Sequence, residues 1–382
     1  MTKIFAERLL LEGRFVTEQI VTIENGRIVS IGPGSAQEAD RSAKVLTPGL
    51  FDKHNHGALG FEANHPDGEK CAAWLSLLAK QGVTNVLYTT STCPAPASAA
   101  ALAFCAEMMR QQSDGLLPGA RIEGAHMEGP FINPVRCGAM SLRCIQPPTM
   151  EAFNANTAGH AGIVRAITIA PEVPGAAELS KELVKMGIRV QAGHTDATCE
   201  QAEQAFREDG FSGVTHFYNA ARPLNQRDPG VLAAAMLEDG VSCEAICDFI
   251  HVAPKMLQLL IRAKGAEGVC MISDSVSTAG LPDGQYGDVT VKNGRNLTPS
   301  GGIAGAGDQM DKGVRGLLSL GYAPEDVFQM ACANPADYLG LGDQLGRIRP
   351  GMRACLAAWN DSWECEWSMV DGALCEGCAG RA

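Results

Sequence analysis

Two histidines, His54 and His56, stand two residues apart in the stretch Thr47-Pro-Gly-Leu-Phe-Asp-Lys-His-Asn-His-Gly57. On an extended strand, side chains at i and i+2 share a face, so the two imidazoles converge on one point, and Gly57 lets the chain turn away behind them. Two convergent imidazoles are half of a metal site. Taken alone the pair also reads as one satisfied polar residue at a strand end beside one solvated one, so the question is whether other ligands arrive from elsewhere in the chain. Glu128, His194, His216 and Asp274 are the candidates. Imidazole and carboxylate suit borderline and hard divalent ions, and Glu128 could bridge two of them. An ion held in this way would bring the pKa of water from about 15.7 down to about 7, removing roughly 12 kcal/mol of proton affinity. The chemistry expected is metal-assisted hydrolysis.

Such ligands need a scaffold that gathers distant residues at one mouth. Beyond residue 46 the pattern is one of short apolar strands separated by helical stretches, the signature of parallel βα units. Eight candidate strands are expected: Leu50 to His56, Thr84 to Thr90, Ile122 to Glu128, Arg165 to Glu172, Arg189 to His194, Val214 to Asn219, Glu244 to Asp248 and Val269 to Asp274. Helical spacing is clear over Glu69 to Gln81, Ala97 to Gln111, Ala176 to Met186 and Thr198 to Glu208, with closing helices over Asp308 to Leu320 and Pro324 to Ala333. Eight such strands point to an α/β fold, a (β/α)8 TIM-like barrel over residues 47–344. Chemistry in such a barrel sits at the C-terminal strand ends. His54 and His56 end the first strand, Glu128 the third, His194 the fifth, His216 the sixth and Asp274 the eighth.

Residues 3 to 32 alternate apolar and polar side chains around an Asn25-Gly26 hairpin signal, and residues 345 to 382 return to β character. The two ends are expected to pair as one small discontinuous β-sandwich domain, 1–46 plus 345–382. The Gly-rich piece Ser300-Gly-Gly-Ile-Ala-Gly-Ala-Gly307 lacks the strand-before, helix-after setting of a nucleotide fingerprint and reads as a flexible active-site loop.

Bulk properties narrow the class. At 382 residues, 46% hydrophobic and 19% charged, the chain is that of a soluble globular protein long enough for one large barrel or several ordinary domains. A net charge of −12 argues against a sequence-independent grip on nucleic acid or anionic membrane, so an anionic ligand needs a local cation. No apolar run reaches the roughly 20 residues that span a bilayer. The 14 cysteines are scattered through apolar and helical segments, and Met1 to Arg8 reads as a first strand rather than a targeting segment, so free thiols in a reducing cytoplasm are expected. Cys375-x-x-Cys378 is one half of a zinc-knuckle spacing with no second pair nearby, and a structural metal is not expected there.

The chain resembles the amidohydrolase superfamily and, within it, the N-acetylglucosamine-6-phosphate deacetylase family. The resemblance rests on Asn25-Gly-Arg-Ile28, Pro48-Gly-Leu-Phe-Asp52 with His54-x-His56, His126-Met-Glu-Gly-Pro130, Gly193-His194-Thr-Asp-Ala197, Thr215-His-Phe-Tyr-Asn-Ala220, Arg227-Asp-Pro-Gly230, His251-Val252, Ser273-Asp274 and Leu345-Gly-x-Ile-x-Pro-Gly351. It implies that Glu128, His194 and His216 hold the principal divalent ion, zinc first, with iron, manganese, cobalt or nickel as alternatives. Some relatives lack the His-x-His pair and use one ion; here His54 and His56 imply one or two ions per subunit. By the same resemblance Asp274 is the general base and acid, His251 polarises the acetamide carbonyl, and Asn219, the backbone at Ala220 and Arg227 bind the sugar phosphate, with Arg227 reaching the partner's site in a homodimer. Met140 stands where relatives often carry a sugar-contacting His, and Ala304-Gly-Ala-Gly-Asp308 departs from the usual Ser-Gly-Ser loop. The implied reaction is deacetylation of an N-acetylamino sugar 6-phosphate.

Three rival readings stay open on sequence: the same reaction on the galactosamine epimer, an amidohydrolase acting on an N-acylated amino acid or cyclic amide, and a non-catalytic barrel retained as an assembly protein.

Overall fold

Strands buried on both faces cannot alternate, and the eight apolar runs pair side by side in sequence order as one parallel sheet. In the computed structural model, which describes residues 1–299 and 301–377, they are β1 (Leu50–Asn55), β2 (Val83–Thr90), β3 (Arg121–Glu128), β4 (Val164–Ile169), β5 (Arg189–Ala192), β6 (Phe211–Val214), β7 (Ser242–Ile246) and β8 (Val269–Ile272). The sheet closes between β1 and the end of β8. Asp274 N–H donates to His54 C=O at 3.0 Å and His56 N–H donates to Ser275 C=O at 2.8 Å. The buried Asp52 carboxylate strengthens the seam, accepting from Ser273 Oγ at 2.5 Å and from Ser273 N–H at 3.2 Å.

One helix follows each strand: Gly68–Lys80, Ala95–Ser113, Met150–Thr157, Ala176–Lys185, Cys199–Glu208, Gly230–Leu237, Pro254–Lys264 and Met310–Ser319. Their starts are fixed locally. Asp67, Thr149 and Thr198 each accept a backbone N–H from the first turn, and Thr198 forms a reciprocal capping box with Gln201. Gly230–Leu237, sequence GVLAAAML, is apolar almost all round, so no periodicity marks it in the sequence. The helix expected over Pro324 to Ala333 is present as Pro324–Phe328 running into a π turn at Gln329–Ala333 and a further helix at Asn334–Tyr338.

Between β8 and its helix lies an antiparallel meander of Gly284–Tyr286, Val289–Lys292, Arg295–Leu297 and Ile303–Ala306. It replaces most of the flexible loop expected over Ser300 to Gly307; Ser300 itself lies outside the described residues. The last strand of the meander is tied to the barrel, because Ala306 N–H donates to Asp274 C=O at 2.8 Å.

Both ends of the chain build one seven-stranded sheet in the spatial order Ala373–Glu376, Cys365–Val370, Leu356–Trp359, Arg41–Pro48, Thr2–Leu11, Arg14–Glu24 and Arg27–Pro33. It curls on itself: Ile28 N–H donates to Met352 C=O at 2.9 Å and Ala354 N–H donates to Gly26 C=O at 2.8 Å. The faces so opposed bury Ile4, Leu9, Val21, Ile28, Leu46, Leu356, Trp367 and Met369. Trp359 faces the barrel instead, its Nε1–H on Thr47 Oγ1 at 2.8 Å. It packs so close to Gly82, at φ +84°, that a Cβ there would lie 2.7 Å from the indole. Cys71, Cys105, Cys243, Cys247, Cys270 and Cys332 are buried free thiols within the barrel. Cys378, half of the Cys375-x-x-Cys378 pair, lies outside the described residues. Among the described residues no helix is long and apolar enough to cross a membrane.

Arg353 joins sheet and barrel. Its guanidinium grips Asp371 through Nε and Nη2 at 2.6 and 2.9 Å and reaches Glu123 of β3 at 2.8 Å, with only 15% of its side chain exposed. Replacing it strands two carboxylates in a partly buried place. Arg353→Met should therefore lower unfolding stability by about 3 kcal/mol while leaving divalent-metal content unchanged, as denaturant titration and metal analysis would show; an unaltered midpoint would mean that the grip adds nothing.

Candidate metal centre

The barrel places each expected ligand at its mouth, and the ligands meet. His54 Nε2 and His56 Nε2 lie 3.2 Å apart. His194 Nε2 and His216 Nε2 lie 3.1 Å apart. Glu128 stands between the pairs: Oε1 is 2.8 Å from His216 Nε2 and 3.2 Å from His194 Nε2, and Oε2 is 3.2 Å from His56 Nε2. Two ligand groups, His54–His56–Glu128 and Glu128–His194–His216, thus share one carboxylate, and all five residues are buried. Asp274 Oδ1 lies beside the first group, 3.4 Å from His54 Nε2 and 3.3 Å from His56 Nε2.

The other ring nitrogens show why Nε2 is the one presented. His54 Nδ1 pairs with Glu244 Oε2 at 2.9 Å, His56 Nδ1 with Thr89 C=O at 3.0 Å and His194 Nδ1 with Arg136 C=O at 2.9 Å. An Nδ1–H given to an oxygen leaves the Nε2 lone pair free for a metal. Lone pairs converging at about 3 Å need a cation or a proton between them, so the donor set fits a divalent ion. Electrostatics run the same way. Burial works against charge on His56, yet hydrogen bonds to Asp274 and Glu128 push its pKa up to about 9. Burial likewise opposes charge on His54, but Glu128, Glu244 and Asp274 carry it well above the ordinary range. Burial would raise Glu128 and Asp274, and the surrounding imidazoles, His54 foremost, hold both below the ordinary carboxylate range. The centre is built to hold positive charge.

Backbone geometry delivers these side chains. His194, His216 and Asp274 follow the ends of β5, β6 and β8 with φ of +48°, +30° and +53°. Such values are strained outside glycine and concentrate at functional sites. The strand expected over Val214 to Asn219 accordingly stops at Val214, and Thr215 to Ala220 turns, with Tyr218 and Ala220 also at positive φ.

Beneath the mouth the barrel interior is polar where apolar layers are usual. Lys53 and Glu244, each 1% exposed, form an ion pair. Gln191 bonds to both, accepting from Lys53 Nζ at 2.6 Å and donating to Glu244 Oε1 at 3.0 Å. His126 Nε2 meets Thr168 Oγ1 at 2.9 Å. None of these interior residues stood out as functional in the sequence; the available signals were Lys53 and Glu244, charges inside apolar runs.

A cavity of about 820 Å³ opens over the centre. Its wall includes Asn219, Ala220, His251, Met140 and, from the meander, Val289, Ile303 and Ala304. Met140 Sδ accepts Thr92 N–H at 3.4 Å. His251 gives Nδ1 to Asp248 Oδ2 at 2.7 Å, while its Nε2 is buried with no partner among the described residues. Burial works to raise Asp248, but its bonds to His251 hold the carboxyl below the ordinary range. Arg227 is not at this wall: its side chain is exposed on the loop before Gly230–Leu237. Among the described residues, no lysine or arginine lines the cavity.

The Amidohydrolase family matches residues 45–377. Among characterised relatives, N-acetylgalactosamine-6-phosphate deacetylase of Escherichia coli O157:H7 is 31% identical over 97% of this chain and 98% of its own. N-acetylglucosamine-6-phosphate deacetylase of Vibrio furnissii is 32% identical over 97% and 94%. The structure of a mutant N-acetyl-D-glucosamine-6-phosphate deacetylase from Mycobacterium smegmatis, in complex with N-acetyl-D-glucosamine-6-phosphate, superposes with a TM-score of 0.90 at 28% identity, covering 98% of this chain and 99% of that one. The matched span takes in the whole barrel and every residue of the centre, and this chain belongs to the Amidohydrolase family.

Proposed function

We propose that the protein hydrolyses the acetamide of an N-acetylamino sugar 6-phosphate, N-acetylglucosamine 6-phosphate foremost, to acetate and the amino sugar phosphate. The observation that carries this is one carboxylate, Glu128, shared between two imidazole pairs beneath a cavity that Asp274 and His251 also face. Glu128, His194 and His216 would hold the principal ion, and His54 and His56 with Glu128 a second. A divalent ion there, zinc first and iron, manganese, cobalt or nickel as alternatives, supplies the Lewis acidity that makes water a proton donor near neutral pH. The remaining steps belong to the chain. Asp274, held below the ordinary carboxylate range, is ionised at neutral pH, takes the proton from the attacking water and returns it to the departing nitrogen. His251 stands in the cavity wall; with both ring nitrogens protonated it would keep Nδ1–H on Asp248 Oδ2, at 2.7 Å, and donate Nε2–H to the carbonyl oxygen as charge develops there.

Asn219 and the Ala220 backbone are read as sugar-phosphate contacts. With no lysine or arginine in the cavity wall among the described residues, Arg227 is read as serving the cavity of a second copy in a homodimer, its planar fork suited to a phosphate. The buried free thiols fit a reducing cytoplasm. The galactosamine epimer is the second reading, favoured by the name of the Escherichia coli relative; Met140 and Ala304, at the wall, are where the epimers would be told apart. Action on an N-acylated amino acid or cyclic amide would show as indifference to the phosphate.

Three measurements test these roles. Asp274→Asn should cut turnover roughly 100- to 10,000-fold with metal content nearly intact, and near-normal initial rates would remove Asp274 from the chemistry. The wild-type chain should take up two divalent ions, the His54→Ala/His56→Ala double variant one, and Glu128→Ala neither; a variant at Glu128 that keeps an ion in metal analysis would show that the carboxylate is not shared. Acetate release should be far faster from the 6-phosphates than from the free sugars, and Arg227→Ala should raise KM for the phosphates alone. Equal rates on phosphorylated and free sugars would refute the phosphate reading.

A further inference from the structure

Glu244 touches both ligand groups without belonging to either. Its Oε2 accepts His54 Nδ1–H at 2.9 Å and the backbone N–H of His216 at 3.1 Å, and its own C=O accepts Phe217 N–H at 2.8 Å. The second contact matters because of a gap elsewhere. His54, His56 and His194 each have an Nδ1 partner that orients the ring, whereas His216 Nδ1 is buried with none among the described residues. The direction of the His216 ring therefore depends on its backbone, which is bent to φ +30°. Glu244 pins that bend from two sides, through its carboxylate and its carbonyl.

The same carboxylate is kept charged. Oε1 is paired with Lys53 and accepts Gln191 Nε2–H at 3.0 Å. A register shift in β1 between Asp52 and Asn55 allows the neighbours Lys53 and His54 to reach one acceptor. An unpaired carboxylate this deep would be costly, and the ammonium group offsets that cost.

We propose that Glu244, charge-matched by Lys53, is a shared positioning residue for both ion subsites, orienting His54 through its ring and His216 through its main chain. This rests on the two-ion reading above. It predicts a pattern that loss of a ligand belonging to one subsite cannot give: a change at Glu244 weakens both binding steps, whereas a change at His54 weakens one.

The test is titration of the metal-free protein with cobalt(II), followed through the visible absorption of each subsite. Wild type should bind two ions. Glu244→Gln keeps the shape but swaps one acceptor for a donor, and the neutral double variant Lys53→Gln/Glu244→Gln restores charge balance. Both variants should bind the two ions roughly 10- to 100-fold more weakly, with altered visible bands for each, and the double variant should recover the thermal midpoint without recovering affinity. Affinities that recover with the midpoint would make the pair purely structural and overturn the proposal. Weakening of one step only would overturn the shared role. A wild-type chain that binds no cobalt would bring down the metal reading, and the tether with it. If neither variant folds, cobalt-loaded wild type decides: the shifted His54 Nδ1–H proton resonance should exchange slowly with deuterium, and fast exchange would overturn the tether.

Discussion

The register of one seam governs the centre. An open parallel sheet would leave two unpaired edges, and here the edges meet where His54 and His56 exchange backbone hydrogen bonds with Asp274 and Ser275. Side chains alternate faces along a strand, so a slip of one residue at this seam would turn the two histidines out of the barrel and carry Asp274 away from them. Closure and assembly of the candidate centre are therefore the same event. Asp52 and Ser273, hydrogen bonded across the seam just below it, add side-chain bonds that only one register satisfies. The meander then builds on the seam, hydrogen bonding to Asp274 C=O, and so carries Ile303 and Ala304 to the cavity wall.

What holds the centre in place is not free. Three side chains of the candidate centre hang from left-handed backbone at non-glycine residues, each costing of the order of 1–3 kcal/mol, and a lysine–glutamate pair lies in the interior. Local hydrogen bonds offset this: Glu244 receives His216 N–H and Phe217 N–H, and His54 C=O receives Asp274 N–H. Rigid placement matters because the candidate ligand atoms of each group lie within 4.8 Å of one another, and a tilt of any ring would spoil the donor set offered to a metal.

Much of this was legible in the sequence, for identifiable reasons. Apolar runs separated by amphipathic helices located seven of the eight strands closely, because burial on both faces leaves short apolar runs whose length suits a strand. The polar residues that end those runs are the ones the barrel brings together in both candidate groups, with Asp274 beside them. The failures are physical too. The sixth strand was expected three residues late, since Val214, Thr215, Phe217 and Tyr218 have the β-branched and aromatic character of a strand and the positive-φ turns leave no glycine or proline mark. The meander was missed because its strands are three or four residues long and partly exposed. Lys53, Gln191 and Glu244 were passed over because a polar residue inside an apolar run looks like a defect until its partner, from a distant strand, is known. The placement of Arg227 outside its own cavity could not be read at all, since exposure depends on the loop it rides on.

Charge balance links the acidic composition to the chemistry. The cavity wall carries Glu62, Glu128, Asp274 and Asp288 but, among the described residues, no lysine or arginine, in a chain of net charge −12. An anionic ligand entering such a cavity meets a repulsive field unless positive charge is brought in. The imidazole cluster can bring it to the floor by binding metal, which places the attraction at the acyl group and leaves the far end of the ligand uncompensated. At the Asn219–Ala220 turn the Asn219 N–H is already given to His216 C=O at 2.9 Å, so the wall has little fixed positive charge of its own to offer there. Arg227, exposed on the loop before Gly230–Leu237, stands outside that wall, so the charge balance of the cavity turns on what its floor binds.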